Sequence, residues 1–372
     1  MRTGIPLVDL RAQYETIRGE IGEVLGEVLD AADFIMGERV AELESVFAAF
    51  CSARYGIGVS SATCGLHLVL HALGIGLDDE VIVPSHTFIA TAESVCHCGA
   101  KPVFVDVCRD TMTIDPEAVR RAVTPRTRAI IPVHLYGRCA DVAGIRPIAE
   151  EFGLDIVEDA AQAHGAFCDA GRAGTMGTAA VFSFYPGKNL GAFGDAGMIT
   201  VNDPSLYQRM HMLGNHGRTS KYSHEQIGFN YRIDALQAAV VSVKLRHLND
   251  WNEQRLERAR RYNTAFSTAG CVTPTAMPGH VFHLYVLRVS ERDKLLRTLR
   301  ANDIGAGIHY PIPCHRQPCF SDRPMPGLPV TEALVSEIIS LPLYPEMTDE
   351  QQDRVIECTL HHCASHDPLP VQ

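Results

Sequence analysis

Between residues 55 and about 240 the apolar positions fall into short blocks: Tyr55–Val59, Glu80–Pro84, Pro102–Val107, Ala129–Tyr136, Asp155–Val157, Ala180–Tyr185 and Met198–Val201. Each is too short for a helix and nearly continuous in apolar residues, the pattern of strands buried on both faces. Stretches with apolar residues at helical spacing, such as Ala140 to Phe152, separate them. The alternation predicts an α/β fold with a mostly parallel sheet covered by helices on both faces. Strands running the same way bring their C-terminal ends to one rim, where such sheets gather functional groups. Ser61, Phe88, His134, Asp159 and Lys188 follow those ends and are expected together.

Upstream, an extended start leads into a helix with Ile21, Val24, Leu25 and Val28 on one face, then a turn at Gly37 and a second helix. Phe34 and Met36 either fill core or line the mouth of a site. Downstream, a helical pattern from Ile233 to about Tyr262 has no proline or glycine and reads as a rigid connector. A smaller α/β unit follows, with a strand over His283–Ser290, helices near Asp293–Arg300 and Asp349–His362, and an extended GAGIHYPIP segment. The expected division is a large domain over 1–240 and a linking helix with a small C-terminal domain over 241–372. A chain of 372 residues suits that division better than one small core. The last eight or so residues, with two prolines, are expected to fray.

The net charge of −11 argues against a nucleic-acid partner. No run of eighteen apolar residues suggests a membrane span, and MRTGIPLVDLRAQYE carries charges where a secretory leader needs an apolar core. A cytoplasmic protein is expected. Twelve cysteines raise the question of a metal, for which Cys314, His315 and Cys319 are the best-spaced candidates. Their spacing reads better as scattered thiols, and no metal is expected.

Chemistry concentrates in three strand-to-loop junctions. In AVFSFYPGKNLGAFGDAG, residues 180–197, the apolar run breaks at Pro186 and Gly187 and presents Lys188 ahead of Gly191, Gly194 and Gly197. A lysine held there can lose water, drop its pKa and attack a carbonyl as an amine. In DIVEDAAQAHGA, residues 155–166, a strand ends in Glu158 and Asp159, and Asp159 is a candidate partner for a pyridinium nitrogen. The run from Ser60 to Gly65 follows a strand and opens a helical pattern, which sets N–H groups and hydroxyls where a phosphate can bind. A carbonyl-capturing lysine, a ring-nitrogen carboxylate and a phosphate cup together describe one cofactor, pyridoxal phosphate (PLP). His86, His134 and His164 are either structural or tune cofactor or substrate.

Through SSATCGLHLVLHALGI, DEVIVPSHTFIAT, GAKPVFVDV, TRAIIPVHLYG, VEDAAQAHGA, FSFYPGKNLGAFGDAG, NHGRTSKYSHEQIGFNYRIDALQAAV and GIHYPIP, the chain resembles the sugar-nucleotide aminotransferases of the DegT/StrS group over nearly its whole length. These are PLP enzymes of the aspartate aminotransferase fold type. The resemblance implies that Lys188 bonds PLP, Asp159 pairs with its ring nitrogen, Phe88 stacks on one ring face and Gln162 lies near the ring. Ala62, Thr63, Ser183 and, from a neighbouring subunit, Asn230 would hold the phosphate, in a homodimer with shared active sites. Ala62 departs from the family's usual glycine, which would distort the cup if that position needs positive φ. Tyr185, His309 and Tyr310 are the implied substrate residues, although GIHYPIP reads equally as a strand ending in a proline turn.

The activity implied is transamination of a nucleotide-linked keto sugar with L-glutamate as amino donor. KYSHEQIGFNYRIDALQ, VKLRHLNDWN and GIHYPIPCHRQPCF are most similar to enzymes that aminate carbon 3 of a dTDP-3-keto-6-deoxyhexose. The alternative is amination at carbon 4, or of another amino-sugar or cyclitol precursor in natural-product, including antibiotic, biosynthesis. Sugar dehydratases of this group carry histidine at the lysine position, so Lys188 argues against that reaction. A non-catalytic PLP-binding regulator is disfavoured by Lys188, Asp159 and Gln162 standing together.

Overall fold

The structure is a computed structural model that describes residues 4–321, 325, 327–365 and 369. Helices α1 (Leu10–Ala31) and α2 (Gly37–Cys51) precede β1 (Tyr55–Val59), α3 (Ala62–Ala72), β2 (Glu80–Pro84), α4 (Ala90–His97), β3 (Lys101–Val105), α5 (Pro116–Ala122), β4 (Thr127–Ile130), α6 (Val142–Phe152) and β5 (Asp155–Asp159). A short hairpin of β6 (Phe167–Cys168) and β7 (Gly171–Arg172) leads to β8 (Ala179–Ser183), β9 (Gly197–Val201), α7 (Pro204–Gly214), a second hairpin of β10 (Arg218–Ser220) and β11 (Ser223–His224), and α8 (Ala235–Phe266). The chain closes with β12 (Tyr285–Arg288), α9 (Arg292–Ala301), α10 (Pro329–Glu337), β13 (Ile338–Leu341) and α11 (Asp349–Ala364). Polar caps start many of these helices: Asp9, Asp141 and Asp203 accept from first-turn amides of α1, α6 and α7.

Seven strands form the main sheet in the order β1-β9-β8-β5-β4-β2-β3. Six run the same way, and β9 alone is antiparallel to both neighbours. The loop between β8 and β9 contains no helix, and a strand that turns back without a crossover must pair antiparallel. That loop carries Lys188. β4 ends at Ile130, short of the expected Tyr136, because Pro132 has no N–H for the ladder. The chain then leans onto the end of β5, with Asp159 N–H bonding Pro132 O at 2.9 Å and His134 N–H bonding Asp159 O at 3.0 Å.

Alternate strand residues serve opposite faces. Ile82 and Phe182 join Val40, Phe47, Ile145 and Leu245 on one side, while Val81, Val83 and Val181 join Leu66, Val95 and Met210 on the other. A further core gathers Ile5, Tyr262, Phe266, Tyr285, Leu295, Ile339 and Val355. Helix α8 spans both regions, burying Val241 and Leu245 in the first core and Tyr262 and Phe266 in this last one. The beginning of the chain also packs here: Ile5 N–H bonds Asp303 O at 2.8 Å, and Gly305 N–H bonds Ile5 O at 2.6 Å. Helix α10 and strand β13 were not anticipated, because the turn from one to the other has no breaker in SEIIS. Phe34 is exposed on the protomer and so fills no core. The expected fraying of the C-terminus lies outside the described residues, Ser365 and Leu369 apart. Among the described residues no helix is long and apolar enough to cross a membrane.

Candidate active site

The C-terminal ends of β1, β2, β4, β5 and β8 share one rim. After β8, Lys188 N–H closes a turn onto Tyr185 O at 2.9 Å. The residue as a whole is partly buried. Burial pushes the Lys188 amine down to about 8, with the Asp159 carboxylate partly opposing it. Asp159, at the end of β5, is buried and its pKa is raised by that burial. Chief among the groups that oppose the desolvation are Thr91 Oγ1 donating at 2.7 Å, Ala161 N–H at 3.2 Å and the Lys188 cation. Thr91, in the first turn of α4, lies four residues after Thr87 in the preceding loop, with the two hydroxyls 3.0 Å apart, so a relay of hydroxyls orients the carboxylate.

The phosphate-cup segment is the start of α3. Ser61 caps the helix, its Oγ accepting from Cys64 N–H at 3.1 Å. The amides of Ala62 and Thr63 are first-turn donors with no acceptor inside the helix. Ala62 is the first helical residue and is not at positive φ, so alanine in place of the family's glycine does not distort the turn. Gly197 packs directly on it: a Cβ there would lie 2.9 Å from Ala62 N and from Ser61 C. Because Ser183 pairs with Gly197 across β8 and β9, this contact brings Ser183 beside the cup.

On the other side stand Phe88, Gln162, His309 and Tyr310. Gln162 is buried, its Oε1 accepting from Tyr136 N–H at 2.7 Å and its Nε2 donating to Tyr310 Oη at 3.2 Å. The Tyr310 ring lies 5.5 Å from that of Phe88, which is half exposed. His309 Nδ1 lies 2.8 Å from Ser340 Oγ, and burial, reinforced by the Lys188 cation, pushes its pKa down to about 4. Tyr185 is exposed, its N–H bonded to Ser183 Oγ at 3.2 Å. Asn230 is exposed as well, bridged to Asn215, while its neighbour Tyr231 accepts from Ser60 N–H at 3.2 Å.

The three histidines left open separate by their partners. His134 Nδ1 accepts from Ala140 N–H at 3.0 Å, so Nε2 carries the proton and donates to Glu158 at 2.9 Å. Glu158 also accepts from Gly174, Met176 and Gly177 N–H groups, which makes this buried pair a structural anchor below Asp159. His164 packs among Phe182 and Phe184 and is kept neutral, its pKa pushed to about 3 by burial. His86 bonds Tyr136 Oη. As for the cysteine-rich segment, Cys314 Sγ donates to Thr87 O at 3.3 Å, and both ring nitrogens of His315 are engaged, with Ser85 Oγ at 2.6 Å and Glu332 at 2.9 Å. Ser85, His315 and Glu332 have the connectivity of a nucleophilic triad, but Ser85 is fully buried and no substrate can reach its hydroxyl. The chain of bonds instead latches this segment to the end of β2.

A lysine of lowered pKa coupled to a buried carboxylate thus stands beside an open helix N-terminus at the rim of a mostly parallel sheet. Residues 15–360 match the model of the DegT/DnrJ/EryC1/StrS aminotransferase family, and the chain belongs to it. It is 45% identical over 95% of its length, and 97% of the relative's, to a protein of Geobacillus stearothermophilus named pleiotropic regulatory protein. It is 44% identical, over 95% of its length and 94% of the relative's, to the dTDP-3-amino-3,4,6-trideoxy-alpha-D-glucose transaminase of Streptomyces venezuelae. With the X-ray structure of S. venezuelae DesV in complex with a ketimine intermediate it shares a TM-score of 0.95 at 43% identity, covering 98% of this chain and 100% of that one. The crystal structure of ntda from Bacillus subtilis with bound cofactor PMP matches at a TM-score of 0.93 and 33% identity, over 98% of this chain and 86% of that one.

Proposed function

We propose that this aminotransferase uses PLP to transfer the amino group of L-glutamate to carbon 3 of a nucleotide-linked keto sugar, a dTDP-3-keto-6-deoxyhexose. The observation that carries the proposal is the electrostatic coupling of Lys188 to the buried, hydroxyl-oriented Asp159. The position of amination rests on the relatives, several of which are named as 3-amino sugar transaminases.

The residues fit the cofactor. The first-turn amides of α3 and Ser183 would take its phosphate, the half-exposed Phe88 ring would cover one face, Asp159 would meet the ring nitrogen and Lys188 the carbonyl carbon. Asn230 would come from the partner of a homodimer, since it stands exposed on its own protomer. Bound PLP supplies an electron-withdrawing ring that makes the hydrogen on the donor's amino carbon acidic. Asp159 would keep a proton on the ring nitrogen, with the Thr87–Thr91 relay holding the carboxylate in place. Lys188 Nζ, with its pKa near 8, can both take and return a proton near neutral pH. His309 and Tyr310 would face the substrate, His309 as a neutral imidazole, its pKa pushed down to about 4 by burial.

Incubating the protein with PLP, L-glutamate and a panel of keto-sugar nucleotides should yield 2-oxoglutarate and an amino sugar from the 3-keto members. Amination of 4-keto members only would move the position and keep the reaction. Cofactor binding with no turnover of glutamate would refute the catalytic reading in favour of a regulator.

A further inference from the structure

Tyr136 is a buried aromatic residue held at φ 59°, ψ 8°, a left-handed conformation that side chains of its kind rarely adopt. Such a conformation persists where surrounding bonds enforce it, and four separate segments bond to this one residue. Its N–H donates to Gln162 Oε1 at 2.7 Å, at the end of β5. Its carbonyl accepts from Leu284 N–H at 3.5 Å, where the chain approaches β12. Its hydroxyl donates to the backbone carbonyl of His309 and lies 2.8 Å from His86 Nε2, beyond β2. A phenol has one proton, and that proton is on the His309 bond, so His86 Nε2 is the donor in the second contact. Burial pushes His86 down to about 4 and the Tyr136 phenol well up, which keeps both neutral and the direction of the relay fixed. The next residue, Gly137, lies against the same downstream segment: a Cβ there would stand 3.0 Å from the backbone nitrogens of Phe282 and His283.

These bonds close a ring of contacts. His86 holds Tyr136, Tyr136 holds the His309 carbonyl and Gln162, Gln162 holds Tyr310 Oη, and the Tyr310 ring faces Phe88, two residues after His86. We propose that Tyr136 is a positioning residue: its hydroxyl anchors the His309–Tyr310 segment to the sheet and thereby sets the width of the gap in which the sugar is bound. The consequence for substrates rests on the function proposed above; the anchoring itself does not.

The test is Tyr136→Phe in the PLP-loaded protein, read by hydrogen–deuterium exchange and by steady-state kinetics. A lost hydrogen bond to a carbonyl, with His86 left unpartnered, corresponds to about a ten-fold effect. Exchange in the peptide spanning residues 305–312 is expected to rise about ten-fold while β5 and β8 keep their protection. KM for the keto sugar is expected to rise about ten-fold, with kcat and the KM for L-glutamate within about three-fold of wild type. Unchanged exchange at 305–312 in the folded variant overturns the anchoring. Equal changes in both KM values overturn the positioning role, since a general loss of structure would not single out the sugar. If the wild-type protein aminates no sugar, the proposed function fails and the exchange experiment still decides the anchor. Should Tyr136→Phe not fold, His86→Phe removes the group that orients the phenol; it is expected to show the same selectivity at smaller size, and wild-type behaviour in both readouts overturns the proposal.

Discussion

Replacing Asp159 with Asn removes a charge while keeping size and an acceptor for Thr91 Oγ1. Two effects follow from the structure, and they move different observables. The first is on rate: loss of one preorganised charge partner at a reacting group costs about 3 to 4 kcal/mol, or about two to three orders of magnitude in transamination. The second is on Lys188. Its amine is pushed down to about 8 by burial, and the Asp159 carboxylate is what keeps it from falling further. With that charge gone, burial acts alone and the amine titrates at lower pH. Labelling apoprotein with an amine-reactive reagent across a pH series, followed by peptide mapping, reads that titration at Lys188 directly. Half-maximal labelling is expected near pH 8 in the wild type and below it in Asp159→Asn. Phosphate contacts are untouched, so the variant is expected to retain PLP. A variant that turns over glutamate at near the wild-type rate, or a Lys188 midpoint that stays put or rises, would refute the coupling on which the site is built.

Three further outcomes are expected. Borohydride reduction of the PLP-loaded protein followed by peptide mapping should place the pyridoxyl group on Lys188, and a label on any other lysine would sink that assignment. Glu44, in α2, accepts from Gly58 N–H at 2.8 Å, and burial raises its pKa from 4.5 to about 7. A carboxyl with a raised folded-state pKa holds its proton more tightly when folded, so its contribution to stability is fullest below pH 4.5 and is lost as pH rises toward about 7, by about 3 kcal/mol at most. Glu44→Gln should therefore melt higher than wild type at pH 8, by a few °C, and flatten the decline between pH 5 and 7; parallel melting curves would contradict this. Finally, Asn230→Asp and Lys188→Ala, each inactive alone, should regain activity when unfolded and refolded together, because a mixed dimer with shared sites has one site free of both lesions. No recovery in a sample shown by mass to contain mixed dimers would place Asn230 in its own subunit's site.

The parts of this site legible in the sequence are those whose chemistry is contained in one segment. Lys188 was marked by a strand breaking into glycines, Asp159 by a strand ending in acids, and the cup by small polar residues opening a helix; each needs only its neighbours to be read. Thr91 and Tyr136 were invisible as site residues, and His86 could not be told from a structural histidine, because each acts through a bond to a distant segment: Thr91 to Asp159, His86 to Tyr136, Tyr136 to His309. No local spacing encodes those pairs. The same distinction governs the fold. Strand positions followed from apolar blocks, whereas the reversed direction of β9 depended on the helix-free loop before it, and the end of β4 on one proline at a place where the sheet demanded an N–H. The groups proposed to react are therefore local in sequence and the groups that hold them are not. Substitutions that change the geometry of the site without touching a reacting atom should accordingly be sought on the strand ends next to it, where a hydroxyl such as that of Tyr136 joins the sheet to the His309–Tyr310 segment.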